Sequence, residues 1–214
     1  MKPSPGPHKT FESIPLLVIV RDILKLVDTA KEGKKIIKAR EILVDGKARR
    51  DHKYAVGLMD VMDIPKIKKT YRIVPKKYGL DLEEIPTKEA NLKLCRVNGK
   101  SLIRKGKIQL NLHDGRNITI EAKTKKDEFK TGDSVLIELP SQKIVEHIKL
   151  AKGNLGIIMG GQNKGEFVKI IDLKKTRSRE PNKVVCDLKG REFDAIKDYI
   201  FIVGQNKPVI KLSD

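Results

Sequence analysis

Two stretches of this sequence gather residues able to do chemistry. Lys31, Lys34, Lys35 and Lys38 fall at i, i+3, i+4 and i+7. On a helix, at about 100° per residue, they share one face. Like charges at that spacing repel one another, and a polyphosphate laid along them relieves the repulsion. A face that is merely solvated mixes its signs, so the stripe points to an anionic ligand. The second stretch, GNLGIIMGGQNKG at 153–165, holds five of the chain's 16 glycines in thirteen positions. It invites a phosphate-cradle reading, and both registers fail. Counted from Gly156, the lysine position holds Gln162; counted from Gly160, it holds Glu166; no GxGxxG occurs. Asn98-Gly99-Lys100-Ser101 ends like a phosphate loop, but Leu94 stands where the leading glycine belongs. It reads instead as a turn between strands. His113-Asp114 has no nucleophile or second base placed beside it by any motif and reads as a turn. Catalytic residues are therefore not expected.

Metal and redox chemistry find no support either. Cys95 and Cys186 lie 91 residues apart and form no CxxC. His8, His52, His113 and His147 share no metal-ligand spacing with them. Two reduced cysteines packed as small apolar side chains are expected, with no metal and no cofactor.

The elements that must carry the lysines can be read locally. Ser13 before Ile14-Pro15 is a candidate N-cap, and IPLLVIVRDILKLVD reads as a mostly buried helix. Thr29, with Glu32 three residues on, forms a capping-box pattern. The spacing predicts a second helix over 30–40, with Gly33, Ile36 and Ile37 facing a core. Asp45-Gly46 then signals a type I′ hairpin, which delivers Lys47, Arg49 and Arg50 directly after the lysine helix. LMDVMDI and TYRIV read as short strands. DLEEIPTKEANLKLCRV reads as a polar connector with an acidic cluster and a short helix. Beyond it the periodicity becomes two. KIQLNLHDGRNITIEA predicts a hairpin around His113-Asp114-Gly115, and TGDSVLIELPSQKIVEHIKL predicts two strands around Pro140-Ser141. Together they suggest a small central barrel. In the last third, LGIIM, EFVKIIDL, NKVVCDL, REFDAI and DYIFIVG predict five strands of a barrel, with Gly160-Gly161 and Lys189-Gly190 at turns. The glycines then serve positive φ and tight bends.

The charge indicates the partner. The 214 residues carry 46 basic and 28 acidic groups, a net +18, with a pI near 9.8. Such a field concentrates polyanions. Residues 1–80 contribute a surplus of 10, 81–150 of 3 and 151–214 of 5. Charge reversal at Lys125 and Lys126, in the less basic middle, is accordingly expected to matter less than at the stripe. The longest apolar run, Leu16 to Val20, is too short to span a bilayer. MKPSPGPHKT is not a signal peptide, and a cytosolic protein without membrane association is expected. Aromatics make up only 4% of residues, so recognition through shape and 2′-hydroxyls is expected more than base stacking.

Three resemblances follow from these residues. TAKEGKKIIKAREILVDGKARRD resembles the second helix and turn of the small S4 RNA-binding fold, which implies RNA contacts at Lys34, Lys35, Lys38, Arg40, Lys47, Arg49 and Arg50. Met59-Asp60-Val61-Met62 stands where many relatives of that fold have GDVI. GNLGIIMGGQNKG resembles the KOW motif through Gly153, Gly160, Lys164 and Gly165, with Asn154 where aspartate is common and Glu166-Phe167 replacing the usual small residues. With PSPGPHK, AVGLMDVMDI and KLCRV in addition, nearly the whole chain resembles the archaeal and eukaryotic small-subunit ribosomal protein S4e family. Members carry a basic extension ahead of PSPGPHK, near which this sequence begins.

The resemblance implies an α+β multidomain protein. It has an N-terminal tail at 1–14, an S4-like module at 15–77, a central β-barrel-like domain at 78–150 and a KOW SH3-like barrel at 151–214. It implies a non-enzymatic constituent of the cytoplasmic ribosome, monomeric outside it, whose partners are small-subunit rRNA and neighbouring 30S proteins. The RNA-binding set expected is Lys9, Arg21, Lys31, Lys34, Lys35, Lys38, Arg40, Lys47, Arg49, Arg50, Lys53, Asn154 and Lys164. An RNA-modifying enzyme with an S4-like appendage and a KOW-type transcription-associated factor are the alternatives.

Overall fold

The computed structural model describes residues 1–121 and 128–212, the Lys105 side chain excepted. Its contacts fall into two units. One comprises Met1–Val74, Leu80–Lys93 and Glu138–Lys143; the other comprises Pro75–Gly79, Leu94–Ile137 and Ile144–Asp214. Strands dominate and helices are few, an α+β protein.

The first unit opens with a short strand, β1 (Ser13–Pro15), then a single α-turn, α1 (Leu16–Val18), which runs on as a π-helical turn, Ile19–Ile23. The expected first helix is thus shorter than its apolar run. Ser13 is not its cap, because its backbone pairs in a strand with Gly57; Pro15 takes the N-cap position. Next come α2 (Ala30–Lys38), β2 (Leu43–Val44), β3 (Lys47–Ala48), β4 (Ala55–Gly57), β5 (Val61–Ile64), β6 (Lys69–Lys76) and β7 (Gly79–Ile85). β1 pairs with β4, and the others form a sheet of order β3-β2-β5-β6-β7. Part of the expected polar connector is therefore the edge strand β7, and only Thr87–Glu89 is helical, as a 3₁₀ turn. Leu16, Leu17, Ile19, Val20, Ile37, Ile42, Val44 and Met62 form one buried cluster that fastens the helices to the sheet.

The second unit holds two five-stranded antiparallel sheets. The first contains β8 (Leu92–Ile103), β9 (Lys107–Leu112), β10 (Asn117–Glu121), β11 (Ser134–Glu138) and β12 (Ile144–Ile148), in the order β10-β9-β8-β11-β12. Asn98-Gly99 is not a turn between strands. It lies inside β8, where the register shifts between Val97 and Gly99 and the extra residue is absorbed as a bulge. The second sheet contains β13 (Leu155–Ile158), β14 (Phe167–Lys174), β15 (Lys183–Leu188), β16 (Arg191–Ile196) and β17 (Ile200–Gly204), in the order β16-β15-β14-β13-β17. All five strands expected in the last third are present. Lys189 and Gly190 both take positive φ at the β15–β16 turn.

Candidate nucleic-acid interface

The lysine stripe is built on α2 from behind. Thr29 Oγ1 accepts the backbone N–H of Glu32 at 3.3 Å, while the Thr29 N–H donates to Glu32 Oε2 at 3.2 Å. This reciprocal cap satisfies two N-terminal donors. Gly33 and Ile37 are buried, while Lys31, Lys34, Lys35 and Lys38 are all exposed. Gly33 lets the helix pack closely: a Cβ there would lie 2.5 Å from Leu17 Cδ1 and 3.3 Å from Val27 Cγ2, so Leu17 would have to turn aside. The helix therefore approaches its neighbour through a residue without a side chain, and its exposed side carries Lys31, Lys34, Lys35 and Lys38 beside the capping Glu32. Among the described residues, none of the four lysines forms an ion pair. The helix stops at Ala39, and Arg40 takes a left-handed φ of 62°, exposed beyond the last turn.

The adjoining hairpin has the predicted turn. Asp45 and Gly46 take φ of 52° and 71°, as a type I′ turn requires. Lys47 and Arg50 are exposed, as is Lys53. Arg49 differs. Its guanidinium lies 4.3 Å from the centre of the Tyr54 ring, and its Nε is buried with no hydrogen-bond partner. Cation–π stacking thus engages this cation within the protein. Burial, with Asp60 nearby, pushes the Tyr54 hydroxyl up to about 12.

The remaining candidates are mixed. Arg21 is forked onto Asp22 at 2.7 and 2.9 Å, so its charge is locally balanced. Lys9 lies 3.8 Å from Glu12. The Asn154 side chain donates to the Lys149 carbonyl at 2.7 Å, bracing the loop before β13. Lys164 is half-exposed on the glycine-rich loop. Lys125 and Lys126 lie outside the described residues.

Beneath the hairpin lies a buried ionic knot that sequence reading missed. Lys93 is fully buried, and its Nζ donates to Asp45 Oδ2 at 2.7 Å and to Asp60 Oδ1 at 2.6 Å. His8 Nε2 meets Asp60 Oδ1 at 2.9 Å. The second oxygens accept backbone N–H groups, Val61 on Asp45 at 3.0 Å and Gly57 on Asp60 at 2.9 Å. Burial alone would raise the Asp60 carboxyl, but Lys93 and His8 together hold it well below its ordinary value. Asp45 thus sets the turn and anchors the knot. A Cβ at Gly57 would fall 2.2 Å from the His8 ring, so glycine makes room for the histidine.

The cysteines are free and buried, and burial pushes the Cys186 thiol up to about 11. One expectation is changed. The fold brings Cys95, His113 and Asp114 together, with ligand-type atoms within 4.8 Å of one another, although their sequence spacing resembles no metal motif. Each already has a protein partner. Cys95 Sγ donates to Asp114 Oδ2 at 3.8 Å, His113 Nδ1 accepts the Arg96 N–H at 3.2 Å, and Arg116 Nε lies 3.4 Å from Asp114 Oδ2. The trio staples the β9–β10 turn to β8. Among the described residues no helix is long and apolar enough to cross a membrane.

Comparison with known proteins agrees with this geometry. The sequence profile of ribosomal family S4e matches residues 67–144. Small ribosomal subunit protein eS4 of Methanocaldococcus jannaschii is 45% identical over 217 residues, covering 99% of this chain and 88% of that protein. The protein of the same name from Methanothermobacter thermautotrophicus is also 45% identical, covering 99% and 86%. The crystal structure of 30S ribosomal protein S4e from Thermoplasma acidophilum superposes with a TM-score of 0.76 at 32% identity, over 91% of this chain and 96% of that one. With relatives this similar over nearly their full lengths, this chain belongs to the ribosomal protein S4e family.

Proposed function

We propose that this chain is a structural, non-catalytic constituent of the small ribosomal subunit. It works on the cytoplasmic ribosome, holds small-subunit rRNA and supports 30S assembly beside neighbouring subunit proteins. Outside the ribosome it is a monomer. The observation that carries this reading is the α2 face, four exposed lysines without acidic partners on a capped and buried helix. Lys31, Lys34, Lys35 and Lys38, with Arg40, Lys47, Arg50 and Lys53, form the main phosphate-contacting set. Lys9 and Lys164 are further candidate contacts. Arg21 and Arg49 act through Asp22 and Tyr54, and Asn154 shapes its loop.

The module assignment goes with this reading. Residues 15–77 are an S4-like RNA-binding module entered from segment 1–14, 78–150 a central β domain and 151–214 a KOW SH3-like module. Two helices followed by a basic type I′ hairpin support the first. The strand order β16-β15-β14-β13-β17 around a glycine-rich loop supports the last.

Neutralised phosphates release counterions, and that release drives binding. Charge reversal of Lys34, Lys35 and Lys38 together is expected to weaken binding to a small-subunit rRNA transcript. It should also flatten the dependence of log K on log salt by about 2 to 3. Filter binding across a salt series reads both, and a triple variant indistinguishable from wild type would remove this face from the site. Co-sedimentation with 30S particles at high salt separates this role from that of a polymerase-associated factor.

A further inference from the structure

The glycine-rich loop between β13 and β14 is held at both ends by segments that carry exposed tyrosines. A Cβ on Gly160 would lie 3.2–3.3 Å from the Tyr199 ring, so the backbone runs flat against that ring. Met159 N–H donates to the Tyr199 carbonyl at 2.7 Å. At the other end Gly165 has φ +89°, and a Cβ there would lie 2.9 Å from Lys76 Cα and 3.1 Å from the Pro75 carbonyl oxygen. That end rests on the tip of the β6–β7 hairpin, whose residues Pro75–Gly79 belong to the same unit as the loop. The tip reads Lys76-Lys77-Tyr78. Tyr78 is 92% exposed and Tyr199 42% exposed, and Lys77 Nζ lies 5.5 Å from the centre of the Tyr78 ring. In sequence, Lys76 and Lys77 immediately precede Tyr78, and Lys164 immediately precedes Gly165 in the loop.

A single exposed tyrosine on a surface needs no explanation. Here one tyrosine ring packs on the glycine-built loop at Gly160, and the loop's other end rests on the backbone two residues before Tyr78; Tyr78 has a lysine over its ring and gains almost no packing from the protein. Aromatic faces with neighbouring lysines are the chemistry that holds unpaired nucleotides: the ring stacks on a base while the cations take the phosphates. We propose that Tyr78, at the hairpin tip beside the glycine loop, is a stacking platform for an unpaired base of the bound RNA. The proposal rests on the rRNA-binding reading above. It adds a site remote in sequence from the lysine helix and of a different chemistry.

The test uses the full chain and an archaeal small-subunit rRNA transcript. Tyr78→Ala is expected to weaken binding about tenfold at fixed salt with the salt slope unchanged, because no cation is lost. Tyr78→Phe keeps the ring and should bind as wild type does. The chain has no tryptophan, so Tyr78→Trp supplies a single reporter whose fluorescence should be quenched on RNA binding. Wild-type affinity in Tyr78→Ala, or an unquenched tryptophan in the saturated complex, overturns the stacking site. It leaves the rRNA-binding reading standing if the α2 triple variant is still impaired. Normal RNA binding by Tyr78→Ala with defective reconstitution of the subunit also overturns it, by assigning the tip to a neighbouring protein. Failure of the wild-type chain to bind the transcript sinks the rRNA-binding reading itself.

Discussion

Lys93 has the most at stake of any single side chain. It is wholly buried, and it compensates two carboxylates that are themselves 4% and 1% exposed. Removing one member of a buried ionic set leaves uncompensated charge and costs about 3–5 kcal/mol. Lys93→Ala is therefore expected to lower the unfolding free energy by about that amount, read from urea transitions at neutral pH. The pH dependence follows from the direction of the Asp60 shift. Its folded pKa lies below the ordinary 3.8, so its stabilising contribution is fully present above that value. The contribution is lost as pH falls from about 4 through the folded pKa. The variant keeps only the His8 share of that contribution, so the gap between it and wild type should narrow below about pH 4. A gap that stays constant to pH 2 would mean that Lys93 acts by packing and not by charge.

At the scale of the element, α2 carries its own start signal and its own spacing constraint. Thr29→Ala removes the capping hydroxyl and is expected to cost about 1 kcal/mol. Gly33→Ala sets two effects against each other. Alanine favours the helix by about 1 kcal/mol over glycine, but overpacking against Leu17 and Val27 costs about 1–3 kcal/mol. A net loss is expected in thermal unfolding, and a rise in Tm would show that Leu17 turns aside freely. The stripe, the capping box and the Asp45-Gly46 turn were all legible in the sequence because each is encoded within a few residues. Ser13 misled for the opposite reason. A serine before proline and an apolar run has the local look of a cap, but the backbone is claimed by Gly57, 44 positions away. Asn98-Gly99 misled likewise: its turn chemistry was spent on a bulge inside β8 because Asn111 and Leu112 on β9 were already in register.

Across the whole molecule, net charge is the property that function draws on. With roughly six phosphate contacts, affinity for rRNA is expected to fall about a thousandfold between 50 and 200 mM salt. A loss of less than tenfold would point to a mainly non-ionic interface. Short apolar runs between turn residues were enough to place the five strands of the last third, although the β13–β17 pairing that completes their sheet joins residues more than 40 positions apart. What stayed illegible was side-chain pairing over long range. Lys93 sits in a stretch that reads as polar connector, and its partners are 48 and 33 residues upstream. The exposed tyrosines were discounted on a low aromatic content that says nothing of where the few rings stand.

The late position of Lys93 has a consequence for how the polypeptide is made. Synthesis proceeds from the N-terminus, so Asp45 and Asp60 leave the exit tunnel well before the lysine that neutralises them. Until it follows, the early segment must either keep those carboxylates wet or bury them uncompensated. A nascent chain arrested with residue 93 still inside the tunnel should be cut readily by protease, and one arrested after its release should resist.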